Sequence, residues 1–182
     1  MRCKNMKAFA IAALAAATPL AAQDMSGFKP GPVFETFGPH APIEGIGKAP
    51  ADAEFAIAFD VSEGAKDGAK SRVIESAARF INMHVAHGVP AGNIRIAVVV
   101  HGKAVHDLLS AEGRRAHKLA DNASAAMVSA MIDHGVRFIV CGQSAAAYGV
   151  TQGQLVPGTE MALSAMTAHA LLQQRGYTLN PF

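Results

Sequence analysis

The chain has 182 residues, of which 51% are hydrophobic, 6% are aromatic and none is tryptophan. Its 16 basic and 14 acidic residues leave a formal charge of +2, too small for the basic surface that nucleic-acid-binding proteins carry. The sequence contains no P-loop, no Gly-x-Gly-x-x-Gly and no Gly-x-Ser-x-Gly motif, so it lacks the usual signatures of nucleotide-binding enzymes and α/β hydrolases.

A secretory signal peptide is predicted for residues 1–22. Three basic residues precede an apolar run at positions 8–17, and small residues follow that run. The run is shorter than the roughly 20 apolar residues that a membrane-spanning helix needs. We therefore expect cleavage after Ala22, export to a periplasm, and no stable membrane span once the signal has been removed. An uncleaved N-terminal anchor is the alternative.

Cleavage would change both the charge and the cysteine content of the chain. The mature chain would carry 13 basic and 14 acidic residues, and so would offer no surface for nucleic acid. Cys3 would also be removed, which leaves Cys141 as the only cysteine. An intramolecular disulfide would then be impossible, and a lone thiol in an oxidising compartment is buried, functional or paired with another chain.

Residues 23–50 are predicted to form an N-terminal arm, because glycine and proline recur throughout them. The arm carries too many apolar residues for a fully solvated linker, namely Phe28, Val33, Phe34, Phe37 and Ile43. We expect it to pack on its own domain or on a neighbouring subunit, with a disordered tether as the alternative. Residues 51–182 are predicted to form a single domain.

Strands and helices are predicted to alternate along this domain. Strands are expected at 54–61, 94–100, 138–140, 160–163 and, as a last edge strand, 177–179. Helices are expected at 71–87, 104–109, 122–134, 143–148 and 165–175, with a surface helix or loop at 112–120. The unbroken Val98-Val99-Val100 run favours a central parallel strand. The alternation indicates an α/β sandwich with a mostly parallel sheet.

Cys141 follows the apolar run Phe138-Ile139-Val140, which is typical of a strand buried on both faces. The residues after it, beginning with Gly142, predict a helix start. The thiol is therefore expected at the carboxyl end of a parallel strand, where ligands bind in such sheets. A helix N-terminus beside it would favour the thiolate. A buried cysteine that acts as a small hydrophobic residue is the alternative.

Two further side chains are expected at the same edge of the sheet. Asp60 lies near the end of the first predicted strand, and His101 directly follows the second. A thiol, an imidazole and a carboxylate together can support nucleophilic or sulfur-carrying chemistry, and an imidazolium would lower the pKa of the Cys141 thiol. Asp60 is equally compatible with a helix cap or a loop.

The other histidines are not predicted to form a functional site. His84 and His87 are three residues apart on a predicted helix, a possible metal pair, but no metal-binding motif accompanies them. Core, cap or surface roles are expected for His106, His117, His134 and His169. Neither a metal nor a cofactor is predicted.

Three segments carry a family resemblance: Val99-Val100-His101-Gly102, Phe138-Ile139-Val140-Cys141-Gly142-Gln143-Ser144 and Leu155-Val156-Pro157-Gly158. Through them the chain resembles, from about residue 54 to residue 182, the DsrE/DsrF-like family of sulfur-relay proteins, and most of all its exported single-domain members. The resemblance implies a three-layer α/β sandwich with a roughly five-stranded parallel sheet. It also implies a homo-oligomer, typically a trimer or hexamer, and a Cys141 that carries sulfur as a persulfide.

The first functional hypothesis is a periplasmic sulfur carrier or sulfurtransferase-like protein. Cys141 would take up sulfane sulfur, and His101 would stabilise the thiolate or polarise the incoming sulfur, so these are the predicted catalytic residues. The residues predicted to bind the substrate are Asp60, Gly102, Gly142, Gln143 and Ser144. The sulfur donor and acceptor are unknown, and an exported protein cannot meet the partners of its cytoplasmic relatives.

Two alternatives belong to other classes of protein. In one, Cys141 and His101 hold a small ligand or a soft metal, between subunits and without turnover. In the other, the protein is an oligomeric scaffold whose cysteine is inert and buried. The surroundings of the thiol distinguish these hypotheses.

Overall fold

The computed structural model describes residues 24–50, 52–66 and 68–180, so the predicted signal peptide lies outside the described residues. The strands are β1 (Phe55–Val61), β2 (Ile94–Val100), β3 (Arg137–Cys141), β4 (Glu160–Ala162) and β5 (Thr178–Asn180). They form one sheet in the order β4-β3-β2-β1-β5, and every neighbouring pair is parallel. The predicted parallel sheet of about five strands is confirmed.

The position of each strand follows from its side chains. β2 is the middle strand of the sheet, and its last five residues, positions 96–100, are all buried. Continuous burial on both faces suits the β-branched run that ends this strand. The edge strands β4 and β5 have only three residues each and are largely exposed, a common way in which sheets avoid edge-to-edge association.

Helices cover both faces of the sheet. The α-helices are α1 (Arg72–Ala86), α2 (Ala111–Ala116), α3 (Ala125–Asp133), α4 (Gly142–Ala147) and α5 (Ala165–Gln174). Among the described helices, none is long and apolar enough to cross a membrane. The larger apolar cluster lies between the sheet and α1 and α3, and a smaller one lies between the sheet and α5. The three-layer α/β architecture is therefore confirmed.

Two predicted helices differ from the observed ones. The helix expected at 104–109 is a 3₁₀ helix at Gly102–Leu108, and α3 begins at Ala125 instead of at Asn122. The Asn122 side chain explains the late start of α3. Its amide donates to the carbonyls of Asp107 and Leu109, at 2.8 Å each, and its oxygen accepts the Ser124 amide at 2.9 Å. This local bonding competes with helical structure.

The face of the sheet under α5 positions the functional residues. Ala58, Val99 and Ile139, from β1, β2 and β3, pack on this face. Side chains alternate along a strand, so the residues two positions further on point to the same side. Those residues are Asp60, His101 and Cys141. The strand register thus directs all three towards the α5 layer at the carboxyl edge of the sheet.

The arm packs on α1 of its own domain through one buried amide. Asn82 is 0% exposed. Its Oδ1 accepts hydrogen bonds from the amides of Val33 and Phe34, at 3.2 and 2.9 Å. Its Nδ2 donates to the carbonyls of Phe34, Phe37 and Gly38, at 2.9, 3.2 and 2.9 Å. Asn82 therefore satisfies backbone groups of the arm that would otherwise be buried without partners.

Close packing reinforces this anchor. A Cβ atom on Gly31 would lie 1.9 Å from Cγ of Asn82, so only glycine lets the arm pass this close to the helix. The rings of Phe34 and Phe37 are buried and stacked, with their centroids 4.8 Å apart. The apolar residues of the arm thus extend the larger core.

We expect Asn82→Ala to lower the free energy of unfolding by about 3 kcal/mol, because buried backbone groups of the arm lose their partners. Urea unfolding followed by circular dichroism measures this change. Asn93→Ala is the matched control, since the half-buried Asn93 donates one hydrogen bond, at 3.3 Å, to the Ala53 carbonyl. Asn93→Ala should lower the free energy of unfolding by less than about 1 kcal/mol. Equal losses in the two variants would contradict the assigned role of Asn82.

Candidate functional site

Cys141 lies where two helices begin. It is the last residue of β3 and the N-cap of α4, with an extended backbone at φ −69° and ψ 115°. The first residue of α5, Ala165, also presents its amide to the sulfur. Cys141 is only 5% exposed in the described chain. The surroundings of the sulfur are nevertheless polar, because unpaired amides at helix starts point outwards from the helix end.

The groups around the sulfur favour its ionised form. Burial by itself would raise the pKa of the Cys141 thiol. The hydroxyl and amide of Ser144, together with the amides of Ala165 and Gln143, outweigh burial and lower the pKa below its usual value. A lowered pKa increases the thiolate fraction at neutral pH, and the thiolate is the nucleophilic form. This distinguishes Cys141 from an inert cysteine in an aliphatic core.

Ser144 joins two strand ends through its hydroxyl group. Its Oγ accepts the Gly102 amide at 2.9 Å. A hydroxyl has a single proton, and accepting the Gly102 amide leaves that proton available to the Cys141 sulfur. The amide that follows β2 therefore supports the hydrogen bond that Ser144 makes to the thiolate at the end of β3.

The glycines of the predicted site act through the backbone. Gly102 has a positive φ of 54°, and a Cβ atom there would lie 2.8 Å from the carbonyl oxygen of Ser62. A Cβ atom on Gly142 would lie 2.7 Å from the carbonyl oxygen of Ala162. Gly102 thus permits the turn that presents its amide to Ser144, and Gly142 lets α4 start against β4.

Gln143 contributes its amide and its side chain to different neighbours. The backbone amide faces the sulfur of Cys141, whereas the side-chain Nε2 donates to the Leu163 carbonyl at 3.2 Å. The side chain therefore ties α4 to the segment between β4 and α5. Substituting this side chain leaves the amide that acts on the sulfur in place.

Asp60 lies between two imidazoles. Its Oδ2 is 3.1 Å from Nε2 of His101, and its Oδ1 is 2.7 Å from Nε2 of His169. Burial would raise the pKa of Asp60, but the hydrogen bonds and charges of His101 and His169 lower it. The carboxyl group is therefore a carboxylate at neutral pH. Asp60 is therefore bonded to two histidine side chains and does not cap a helix.

His169 is the residue of this group that the sequence interpretation missed. The sequence predicts a core, cap or surface role for it, whereas α5 brings it to Asp60. The sequence does carry a signal, because Ala165, Ala168, His169 and Leu172 follow the i, i+3, i+4, i+7 spacing of an inward-facing helical stripe. That spacing does not say which strand residue the histidine meets.

The structure brings His101 close to Cys141 in the sheet but directs its ring to Asp60. Val100 pairs with Val140, so His101 and Cys141 each lie one residue beyond the last pair of β2 and β3. The groups that lower the thiol pKa are Ser144, Ala165 and Gln143. The thiolate is therefore stabilised by a hydroxyl and by amides at helix starts, as the sequence predicted for the helix N-terminus. The imidazolium that the sequence also predicted for this role is not among these groups.

Of the possible metal pair, His84 has other contacts and His87 is the C-cap of α1. His84 Nδ1 lies 2.7 Å from the Phe80 carbonyl, and the two rings are stacked with centroids 3.9 Å apart. Burial lowers the pKa of His84. Within residues 24–50, 52–66 and 68–180, no group of three or more His, Cys, Asp or Glu side chains is arranged to hold a metal ion.

We expect Ser144→Ala to raise the pKa of the Cys141 thiol, because the sulfur loses the hydroxyl group that favours its charge. The pH dependence of alkylation by iodoacetamide measures this pKa, and the curve should move to higher pH. Gln143→Ala is the matched control, since it keeps the backbone amide, and its curve should not move. An unmoved Ser144→Ala curve, or equal shifts in both variants, would contradict this account of the thiolate.

Comparisons with known proteins agree on the fold. A solved structure of a protein of unknown function from Methanobacterium thermoautotrophicum is similar with a TM-score of 0.54 at 20% sequence identity, covering 71% of this chain and 100% of that chain. No curated protein matches the sequence. Among models of protein families, that of the DsrE/DsrF-like family matches residues 55–181, which include every residue of the site. The chain belongs to the DsrE/DsrF-like family.

Proposed function

We propose that the protein is a periplasmic sulfur carrier that holds sulfane sulfur as a persulfide on Cys141. Membership of the DsrE/DsrF-like family suggests a sulfur-relay role. The observation that carries the proposal is the lowered pKa of a nearly buried thiol, held by amides of two helix starts and by the Ser144 hydroxyl. The same groups suit a persulfide anion, which needs hydrogen-bond donors in place of water.

The uptake step is a nucleophilic displacement at sulfur. With thiosulfate as donor, the Cys141 thiolate attacks the outer sulfur, a new S–S bond forms, and the bond from that sulfur to the sulfite group breaks. Sulfite leaves with the electron pair of the broken bond, and the persulfide anion remains on the protein. No external oxidant or reductant is needed. The 5% exposure of Cys141 favours a small inorganic donor over a bulky one.

Export of the protein is part of the proposal and depends on the pattern of residues 1–22. Basic residues followed by a short apolar run and small residues are typical of a cleaved signal. In an oxidising compartment, a cysteine without an intramolecular partner can hold sulfane sulfur without being lost to a disulfide within its own chain.

Persulfide formation is tested by mass spectrometry of the mature chain, residues 23–182. After treatment with thiosulfate or polysulfide, the wild-type chain should gain about 32 Da, one sulfur atom, and lose it on reduction. Cys141→Ser has no thiol in the mature chain and should gain nothing. Equal mass gains in the two proteins, or none in the wild type, would refute the proposed function.

Assembly into a homo-oligomer, a trimer or a hexamer, is also proposed. Leu163 and Met166 are 72% and 80% exposed beside the edge strand β4, and Met161 and Leu171 are exposed as well. Soluble monomers rarely expose several large apolar side chains together, so this surface supports a contact between subunits. The side chain of Gln143 bonds to the carbonyl of Leu163, which connects this surface to the sulfur site.

We expect the wild-type chain to sediment as an oligomer and Leu163→Asp to sediment as a smaller species, because a charge would be buried in the contact. Leu179→Asp is the matched control, since Leu179 is exposed on β5 at the opposite edge of the sheet. Analytical ultracentrifugation distinguishes these states. A monomeric wild type, or equal dissociation of both variants, would refute the proposed contact.

A second function, small-ligand binding without turnover, is favoured by one observation. A groove of about 500 Å³ lies between the arm and the end of α1, lined by apolar residues and three histidines. This volume lies in the range of small-molecule sites. Because Phe55 at the start of β1 lines it, the groove is at the amino edge of the sheet, opposite Cys141. If no persulfide formed, this groove would be a candidate ligand site.

A further inference from the structure

Three polar side chains lie together beside the Cys141 thiol. None of them is among the amide and hydroxyl groups that stabilise the thiolate. We call Asp60, His101 and His169 the rim triad. Its residues come from β1, from the residue after β2 and from α5, respectively. The remainder of the α5-facing core is made of small and aliphatic residues such as Ala97, Ile139 and Leu172. Packing does not explain why a charged cluster lies at the edge of this apolar layer, so a chemical role is the better explanation.

The contacts define where the protons of both imidazoles lie. Asp60 is a carboxylate, which accepts hydrogen bonds and donates none. His101 and His169 must therefore each carry a proton on the Nε2 atom that faces Asp60, at 3.1 and 2.7 Å. The two rings hold the carboxylate from both of its oxygens.

His169 contributes a fixed donor and no base. Its Nδ1 atom is buried and has no hydrogen-bond partner in the described chain. A buried ring nitrogen without a partner opposes stability, so packing alone would favour an aliphatic residue here. His169 is suited to orienting Asp60.

His101 differs because it retains a free nitrogen near solvent. Its Nε2 is engaged by Asp60, whereas its side chain is 31% exposed and its Nδ1 makes no hydrogen bond to any described residue. His101 and Cys141 follow the last paired residues of neighbouring strands, which run about 4.8 Å apart. Nδ1 can therefore serve a reaction at the sulfur, directly or through one water.

We propose that His101 gives a proton to the leaving group of the sulfur donor while the Cys141 thiolate attacks, with Asp60 and His169 as positioning residues. The proposal rests on the proposed persulfide chemistry and assigns Asp60 a role other than substrate binding. The thiolate attacks the outer sulfur of thiosulfate, and the bond from that sulfur to the sulfite group breaks. The His101 imidazolium gives its Nδ1 proton to the departing sulfite. The sum is thiolate, thiosulfate and imidazolium giving persulfide anion, hydrogen sulfite and neutral imidazole, which takes its next proton from water.

Asp60 and His169 hold His101 in the reactive orientation. The carboxylate stabilises the imidazolium that donates the proton, and its bond to Nε2 keeps Nδ1 as the reactive nitrogen. His169 holds the other carboxylate oxygen, so Asp60 cannot rotate away from His101. Second-shell partners of this kind orient the group that meets the substrate.

Two reactions of the same thiol test the rim triad in the mature, full-length domain. Thiosulfate expels sulfite, which accepts a proton, whereas iodoacetamide expels iodide, which accepts none. His169→Leu should slow persulfide formation from thiosulfate by about tenfold to a hundredfold and leave the alkylation rate unchanged. His169→Gln retains an N–H donor at the position of Nε2 and should restore most of the rate. Asp60→Asn should behave like His169→Leu.

The outcomes separate this proposal from the proposed function. If the wild type forms the persulfide and His169→Leu forms it equally fast, the rim triad has no part in the reaction while the sulfur-carrier function stands. If His169→Leu slows alkylation as much as persulfide formation, and His169→Gln does not restore either, the histidine is structural and the proposal is overturned. A wild type without persulfide would overturn both.

Discussion

The charge on one sulfur atom is the constraint on which the site depends. Burial opposes the thiolate of Cys141, while the amides of Gln143, Ser144 and Ala165 and one hydroxyl favour it more strongly. These dipoles are held by secondary structure, so they do not need to reorganise when the sulfur ionises. A nearly buried sulfur can therefore carry charge without contact with bulk water.

A parallel sheet supplies this arrangement with few special residues. Its strands all end at one edge, and the helices that follow them begin there, so amide groups concentrate where side chains such as Asp60, His101 and Cys141 emerge. The face of the sheet that packs against α5 also carries the residues of the site. The small side chains of Ala58 and Ala97 let α5 approach closely, and the start of α5 then reaches the sulfur.

The arm and the thiol lie at different parts of the molecule. The family match begins at residue 55, after the arm, and the arm is fixed to α1 by Asn82 on the face of the sheet opposite α5. The arm therefore extends the larger core without reaching the sulfur. Exposed apolar residues near β4, in contrast, lie beside the site, so assembly and sulfur chemistry would share one surface.

The sequence by itself determined the parallel α/β sheet, the central place of β2 and the placement of Cys141 at a strand end next to a helix start. These features follow from local patterns, namely apolar runs, helical spacing and glycine turns, which need no knowledge of distant residues. Tertiary structure decided which groups meet the sulfur, that His101 turns to Asp60, that His169 completes the cluster and that Asn82 holds the arm. Periodicity places a residue on a face of its helix or strand, but the contact it makes depends on how elements far apart in the chain rotate and pack against each other.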